Sequence, residues 1–331
     1  SNTTADSNVA IGNAAMVSNT TGNNNVAIGQ QALDANTAGS QSIAIGSQAL
    51  GAQNGDVKNI AVGYRALQAL TSGDGNVGMG RDVLYSLTTG GSNVAIGNDA
   101  LGNNTTASNN TAVGKNALGA NTTGSSNTAV GSYSLSTNTT GTYNSSLGGS
   151  ALYANTTGSY NVAIGFKALE DNTTASYNTA VGHESSKDIT TGQNNTSVGA
   201  DSLRTNTGGG NNTALGSSAL YTNTASDNTA VGRHSMLNNT TGTRNTAVGA
   251  QAMDNNTTGN YNVAVGSNQC LGANTTGGYN VAIGDGAMVT NTTSSFCVAI
   301  GQAALYSNTA ANQTAVGYAA MMDNSTGTDN V

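Results

Sequence analysis

Large, small and polar positions follow one another in a short cycle along this chain. In Asn25-Val26-Ala27-Ile28-Gly29 the side chains run large, small, large before a glycine, which is the two-residue period of a β-strand. Ala32-Leu33 is expected to begin a second short strand or extended edge, and Asn36-Thr37-Ala38-Gly39 supplies a turn. A helix would need apolar positions spaced by three and four. Each cycle instead holds a β-branched run, two clusters of turn residues and a glycine at each break, so helix is excluded.

The cycle is 17 residues long. Its glycine falls at Gly12, Gly29, Gly46, Gly63, Gly80 and so on to Gly216, always 17 apart, and the series continues through Gly232, Gly249, Gly266, Gly284, Gly301 and Gly317. Three units are one residue short or long: Ser217 to Gly232, Ser267 to Gly284, and Gln302 to Gly317. About nineteen units tile residues 1–331 as one continuous array and leave no room for another domain. A single unit has nothing to bury its apolar face against, whereas stacked coils pair equivalent strands and align identical residues in rows. The fold class expected is all-β, a parallel β-solenoid of about nineteen coils. At about 4.8 Å per coil it would be a rod about 90 Å long.

Each row can be read separately. The residue before each glycine is always aliphatic, as at Ile11, Ile28, Ile45, Val62, Ile96, Val113 and Ile164, and is expected to be core. The residue four after it is Leu or Met in the regular units, as at Leu33, Leu101 and Leu169, with Ser186 the exception; this row is expected to be core too. Two places before the glycine only Ala, Gly or Ser occurs: Ala27, Ala44, Ala61, Gly78, Ala95, Ala112, Ala129, Ser146. A position that rejects Lys, Thr and Glu in every unit is pressed against something. Lying on the strand face opposite the aliphatic row, it is expected to meet a second chain as an inter-chain row. The Val/Ile position from Val9 to Val94 turns mostly to Thr or Ser from Thr111 to Thr246, as expected at the edge of a core. Asn opens nearly every apolar run (Asn8, Asn25, Asn59, Asn76), replaced only by Ser42, Cys297 and Gln313, and reads as a structural row of stacked amides. The Asn of Asn-Thr-Thr gives way to Leu70, Leu87 and Ile189, so it points partly inward.

Composition alone would suggest a disordered polymer: no Pro or Trp, 45 Gly, 8 % charged and 4 % aromatic residues. Strict periodicity overrides that reading. The net charge of −7 is spread thinly, and the nine Lys and Arg form no stripe that could neutralise successive phosphates, so nucleic acid is not an expected partner. No apolar run reaches the length of a membrane span, and no membrane insertion is expected in this segment. The chain opens in mid-pattern at Ser1-Asn2-Thr3-Thr4 without a charged-then-apolar leader, so it is expected to be a segment of something longer. Cys270 and Cys297 read as two isolated small residues.

Catalytic chemistry finds no foothold. His183 and His234 lack metal-ligand spacing or a nucleophile motif, Gly208-Gly209-Gly210 lacks the Lys and Ser/Thr of a phosphate loop, and the Asp-bearing nonapeptide of calcium-binding β-rolls is missing. No catalytic residue, metal or cofactor is expected, and the chain is expected not to be an enzyme. Asn121-Thr122-Thr123 and Asn172-Thr173-Thr174 match the N-glycosylation sequon, as a by-product of the repeat. The residue before the Asn row is aromatic at Tyr143, Tyr160, Tyr177 and at Tyr261, Tyr279, Phe296. Stacked rings stabilise a row, and such a strip could also stack sugars.

The string Asn161-Val162-Ala163-Ile164-Gly165-Phe166-Lys167-Ala168-Leu169, followed by Asn172-Thr173-Thr174, resembles repeats of phage and bacterial tail-fibre-type proteins. Its Val-Ala-Ile-Gly core is similar to the head repeats of trimeric autotransporter adhesins of the YadA type, though the unit here is longer by the Asn-Thr-Thr-Gly insert. The resemblance covers the whole chain. It implies a left-handed parallel β-roll, a parallel homotrimeric fibre, a place outside the cell or on a virion surface, and a role in attachment. The expected function is a structural shaft that spans distance and presents a repetitive surface, with receptor-binding parts outside this segment; a host-surface glycan or receptor is the expected partner beside further copies of the chain. Alternatively the shaft itself is adhesive, through its aromatic and Thr strips. An ice-binding solenoid is the outlying reading, because the Thr-Thr pair is lost at Asp56 to Lys58, Gly73 to Gly75 and Gly208 to Gly210.

Overall fold

A computed structural model describes residues 4–55, 57–325, 327 and 329–331. The start of the pattern at Ser1, and Asp56 in the interrupted Thr row, lie outside the described residues. The fold is an all-β parallel β-solenoid of about 18 turns, with no helix among the described residues. It divides into two compact units, Ser1–Ala163 and Ile164–Val331. In the first, three-residue strands from Val9–Ile11 to Ser145–Leu147 pair in parallel, each with the next; in the second, the same holds from Thr179–Val181 to Thr314–Val316.

Identical positions face each other along the stack: Val26 pairs with Ile43, Ala27 with Ala44, Ile28 with Ile45. The irregular units keep this register, with Thr213 opposite Thr229, Val263 opposite Val281, and Val298 opposite Thr314. Their missing or extra residue is taken up in the turns. The glycine after each strand is obligatory because Gly29 sits at φ 134° and a Cβ there would lie 2.5 Å from the carbonyl oxygen of Gly46 in the next coil. Ala32-Leu33, expected to be extended, instead belongs to a run of turns in which Gln31 (φ 55°) and Leu33 (φ 53°) are left-handed. That winding folds the Leu side chain back under the strand.

The two faces of the strand are the reverse of the sequence expectation. Ala27, Ala44, Ala61, Ala95, Ala112 and Ala129 are fully buried inside their own coils, beside the fully buried Leu33, Leu101 and Leu169. Ile11, Ile45, Ile96 and Ile164 are exposed, and Ile28, Val62 and Val113 are half-buried on the outer face. The Ala row is therefore not an inter-chain row, and the Ile/Val row is not core. The reason is the width of the coil. One Leu per turn already fills the space opposite the strand, so only a methyl fits between them. At Gly78 even a Cβ would come within 2.5 Å of Leu67 Cδ1 and 3.1 Å of Val83 Cγ1. Val83 occupies a position that is Ala in most coils, and Gly78 makes room for it. The Val/Ile/Thr position from Val9 onward is likewise on the outer face, exposed or half-buried.

Serine inside the coil is tolerated where hydroxyls pair. Ser134 and Ser146 lie 2.6 Å apart. Ser186, which replaces the core Leu, bonds to Ser197 Oγ at 2.6 Å, and Ser197 also meets Ser185 at 2.7 Å. All are buried, so each hydroxyl needs the others.

Candidate functional surfaces

The two Asn rows are structural and point inward. Asn25 Nδ2 donates to Gly39 O at 2.7 Å, while its Oδ1 accepts from Ser42 N–H of the next coil at 2.9 Å. Asn36 Nδ2 donates to Gly39 O and its Oδ1 accepts from Gly39 N–H, closing the turn from within. Leu70, Leu87 and Ile189 are fully buried, as their aliphatic character implied. The same geometry bears on the sequons. Asn121 and Asn172 are fully buried and the Asn121 amide is bonded to Gly124 O at 2.9 Å, so a folded coil does not offer these nitrogens to a glycosyl transferase.

The Thr row uses up its hydroxyl protons along the stack: Thr88 Oγ1 donates to Thr105 O, Thr105 to Thr122 O, and Thr122 to Thr139 O, at 3.0 to 3.1 Å. These hydroxyls are committed as donors along the stack and face outward as acceptors only. Rows of rings behave in a similar fashion. Tyr143 and Tyr160 stack at 5.0 Å and 10°; Tyr261 and Tyr279 at 4.8 Å, and Tyr279 and Phe296 at 5.1 Å, each at 9°. Both faces of Tyr279 are thereby covered, and these rows, though exposed like Tyr177, offer ring edges more than stacking platforms.

The most charged stretch lies in the second unit. Arg204 bridges Glu184 at 2.5 Å and Asp201 at 3.6 Å, while Glu170 holds Lys167 and Lys187. Ligand atoms of His183, Glu184 and Asp201 lie within 4.8 Å of one another, a grouping the sequence reading missed although Glu184 and Asp201 are 17 residues apart. The Arg204 guanidinium already supplies the positive charge these carboxylates face. Cys270 and Cys297 are free and buried. Burial pushes the Cys270 thiol up to about 12, and that of Cys297 upward as well, so both are unreactive at neutral pH.

Two surface cavities open on the turns of the first unit, of about 430 Å³ and 260 Å³. The larger is lined by Arg65, Asp82, Tyr85, Asp99, Asn116 and Thr137 among others. Neither was singled out in the sequence. The third surface is the strand face itself, where Met79 and Ile96 (39 % exposed) stand outward in consecutive coils and Leu147 three coils further on. Comparison with known protein-family models and with curated proteins finds no match to this chain.

Proposed function

We propose that this chain is the shaft of an attachment fibre on a cell or virion surface, in which copies pack side by side through the outward aliphatic face as a parallel homotrimer. The observation that supports this is the persistence of that face. The coil interior is already full, yet aliphatic residues recur outside the strand at about two-fifths exposure, from Ile45 and Ile96 through Ile164 to Val248, Ile283 and Ile300. Covering the exposed part of one such side chain contributes roughly 0.6–1.2 kcal/mol, so nine coils contribute roughly 5–10 kcal/mol from this row alone. That is comparable with the ~4–15 kcal/mol that association costs. A few coils would not hold two chains together, whereas a long array does, which gives the repetition a purpose. The left-handed roll and the threefold arrangement rest on the family resemblance.

The test is light scattering and small-angle scattering on the wild-type chain and on Ile96→Glu/Val113→Glu/Val130→Glu. The wild type is expected at three times the chain mass with an elongated profile, and the variant as a monomer with unchanged circular dichroism. A monodisperse wild-type monomer, or a variant that keeps its oligomer mass, overturns the proposal.

A further inference from the structure

The 430 Å³ notch in the first unit has an identifiable cause. Five residues after the coil glycine most coils carry a side chain: Gln68, Tyr85, Ser136, Tyr153, Glu170, Arg204. At Gly102 and Gly119, in consecutive coils, there is none. Backbone geometry does not require glycine there. Neither residue has a left-handed φ, and a Cβ on either would approach nothing nearer than a carbonyl of its own turn at 3.3 Å. The smaller cavity lies over Gly51 at this same position, so the openings follow the glycines.

Only the larger notch has an aromatic wall. The Arg65 guanidinium carbon lies 4.8 Å from the Tyr85 ring centroid and 4.9 Å from that of Tyr64, and its Nε bonds Asp82 Oδ1 at 2.7 Å. Tyr85 is thus backed by a fixed cation on the side of the preceding coil. On the side of the next coil its own position is Gly102, with register set by Ser86 N–H donating to Gly102 O at 3.1 Å. That side of the ring is left to the notch, and Tyr85 is 38 % exposed. Around it stand the Asp99 carboxylate and the Asn103 and Asn116 amides. Arg65 and Arg81 both bridge Asp82, and with Asp99 the two cations and two carboxylates at and beside the notch sum to zero, so no net charge favours an ionic ligand. The volume lies in the range of small-molecule sites.

We propose that this notch binds a neutral hexopyranose unit of a glycan, its C–H face on Tyr85 and its hydroxyls toward Asp99, Asn103 and Asn116. A pyranose combines the two features the walls ask for: a flat face of weakly positive C–H groups for the negative face of the ring, and a polar rim. A planar ring without polar edges would leave the carboxylate and amides unmatched. The site lies on the turns and does not involve the aliphatic strand face.

Saturation-transfer NMR with methyl β-D-glucopyranoside, methyl β-D-galactopyranoside and methyl α-D-mannopyranoside tests this at about 10 mM, above the millimolar dissociation constant expected of a single ring. Transfer to sugar C–H protons is expected in the wild type for at least one of the three. Tyr85→Ala is expected to weaken binding at least tenfold. Gly102→Gln, which installs the side chain that Gln68 carries at this position, is expected to abolish it; Gly119→Gln serves if that variant loses the wild-type circular dichroism. Oligomer mass, measured on the same samples, is expected to be unchanged, which separates this site from assembly. Absence of transfer with all three sugars, or binding that survives filling of the notch, overturns the proposal.

Discussion

Gly78 and Val83 offer the sharpest test of which strand face lies inside. Most coils place alanine at both positions, as at Ala61 and Ala66, and this coil has moved methyl groups from one wall of the interior to the other. Val83 is fully buried, so Val83→Ala removes two methyls and leaves a cavity, at a cost of about 1.5–3 kcal/mol. Gly78→Ala places a Cβ 2.5 Å from Leu67 Cδ1, and Leu67 is itself fully buried with little room to turn. Overpacking of this kind costs about 1–3 kcal/mol, less about 0.5–1 from the stiffer unfolded chain. The double variant restores the common pairing and is expected to lose under about 1 kcal/mol, so the two changes couple by about 2–3 kcal/mol. Repeat stacks need not unfold in one step. The assay is therefore hydrogen exchange of peptides spanning residues 60–85, read beside the thermal midpoint. A Gly78→Ala that stabilises by about 0.4–1 kcal/mol, as an outward-facing small row would give, refutes the assignment, and so does a double variant as destabilised as the sum of the singles.

Leu169→Asp places an unpaired charge inside a coil and is expected to cost several kcal/mol, on the order of a buried charge, while Ile164→Asp on the outer face leaves coil integrity intact; limited proteolysis that cuts both alike counts against this. Ser197→Ala strips a partner from both Ser185 and Ser186 and is expected to cost about 1–3 kcal/mol, whereas Ser185→Ala/Ser186→Leu/Ser197→Ala returns the coil to the common pattern and melts at or above wild type. The Cys270 thiol is raised from 9.0 to about 12 in the fold, so the unfolded chain gives up its proton first; stability is full below pH 9 and falls between pH 9 and 12. The loss reaches about 2 kcal/mol by pH 10.5, and Cys270→Ala is expected to flatten the decline in a pH series of melts. Parallel declines in the two proteins would contradict it.

Much of this architecture is legible in the residues. The 17-residue spacing determines the strands and their register, and Leu70, Leu87 and Ile189 betray the inward direction of the second Asn row. Alternation along Val26-Ala27-Ile28 reveals two faces but does not say which is inside; that depends on how much space the rest of the coil leaves. The clue was present in the joint change of Gly78 and Val83, which makes sense only if both share one interior. Leu33 was misread as extended because a bulky residue seldom adopts φ near 53°, and local propensity gives no hint of it. The stack imposes that conformation through the bond from Leu33 N–H to Ala49 O at 3.0 Å. The notch at Gly102 and Gly119 was hidden by the abundance of glycine elsewhere, and emerges only when each glycine is asked whether its backbone needs it.

The buried amides also give the stack an arrow. Asn76 Nδ2 donates to Asn59 Oδ1 at 3.1 Å and Asn93 to Asn76 at 3.0 Å; in the other row Asn138 donates to Asn121 and Asn155 to Asn138, both at 2.9 Å. Every one of these bonds runs from a later coil to an earlier one, so the amide dipoles within a row add rather than cancel, and each strengthens its neighbours. Cleave the stack between any two such coils and the two Asn rows are left unlike: the later coil presents bare side-chain N–H groups, the earlier one bare side-chain oxygens. Along these rows two fragments match only head to tail, since turning one over sets donor against donor or acceptor against acceptor in both rows at once. The material is thus polar in the sense that a magnet is, with a direction that survives fragmentation.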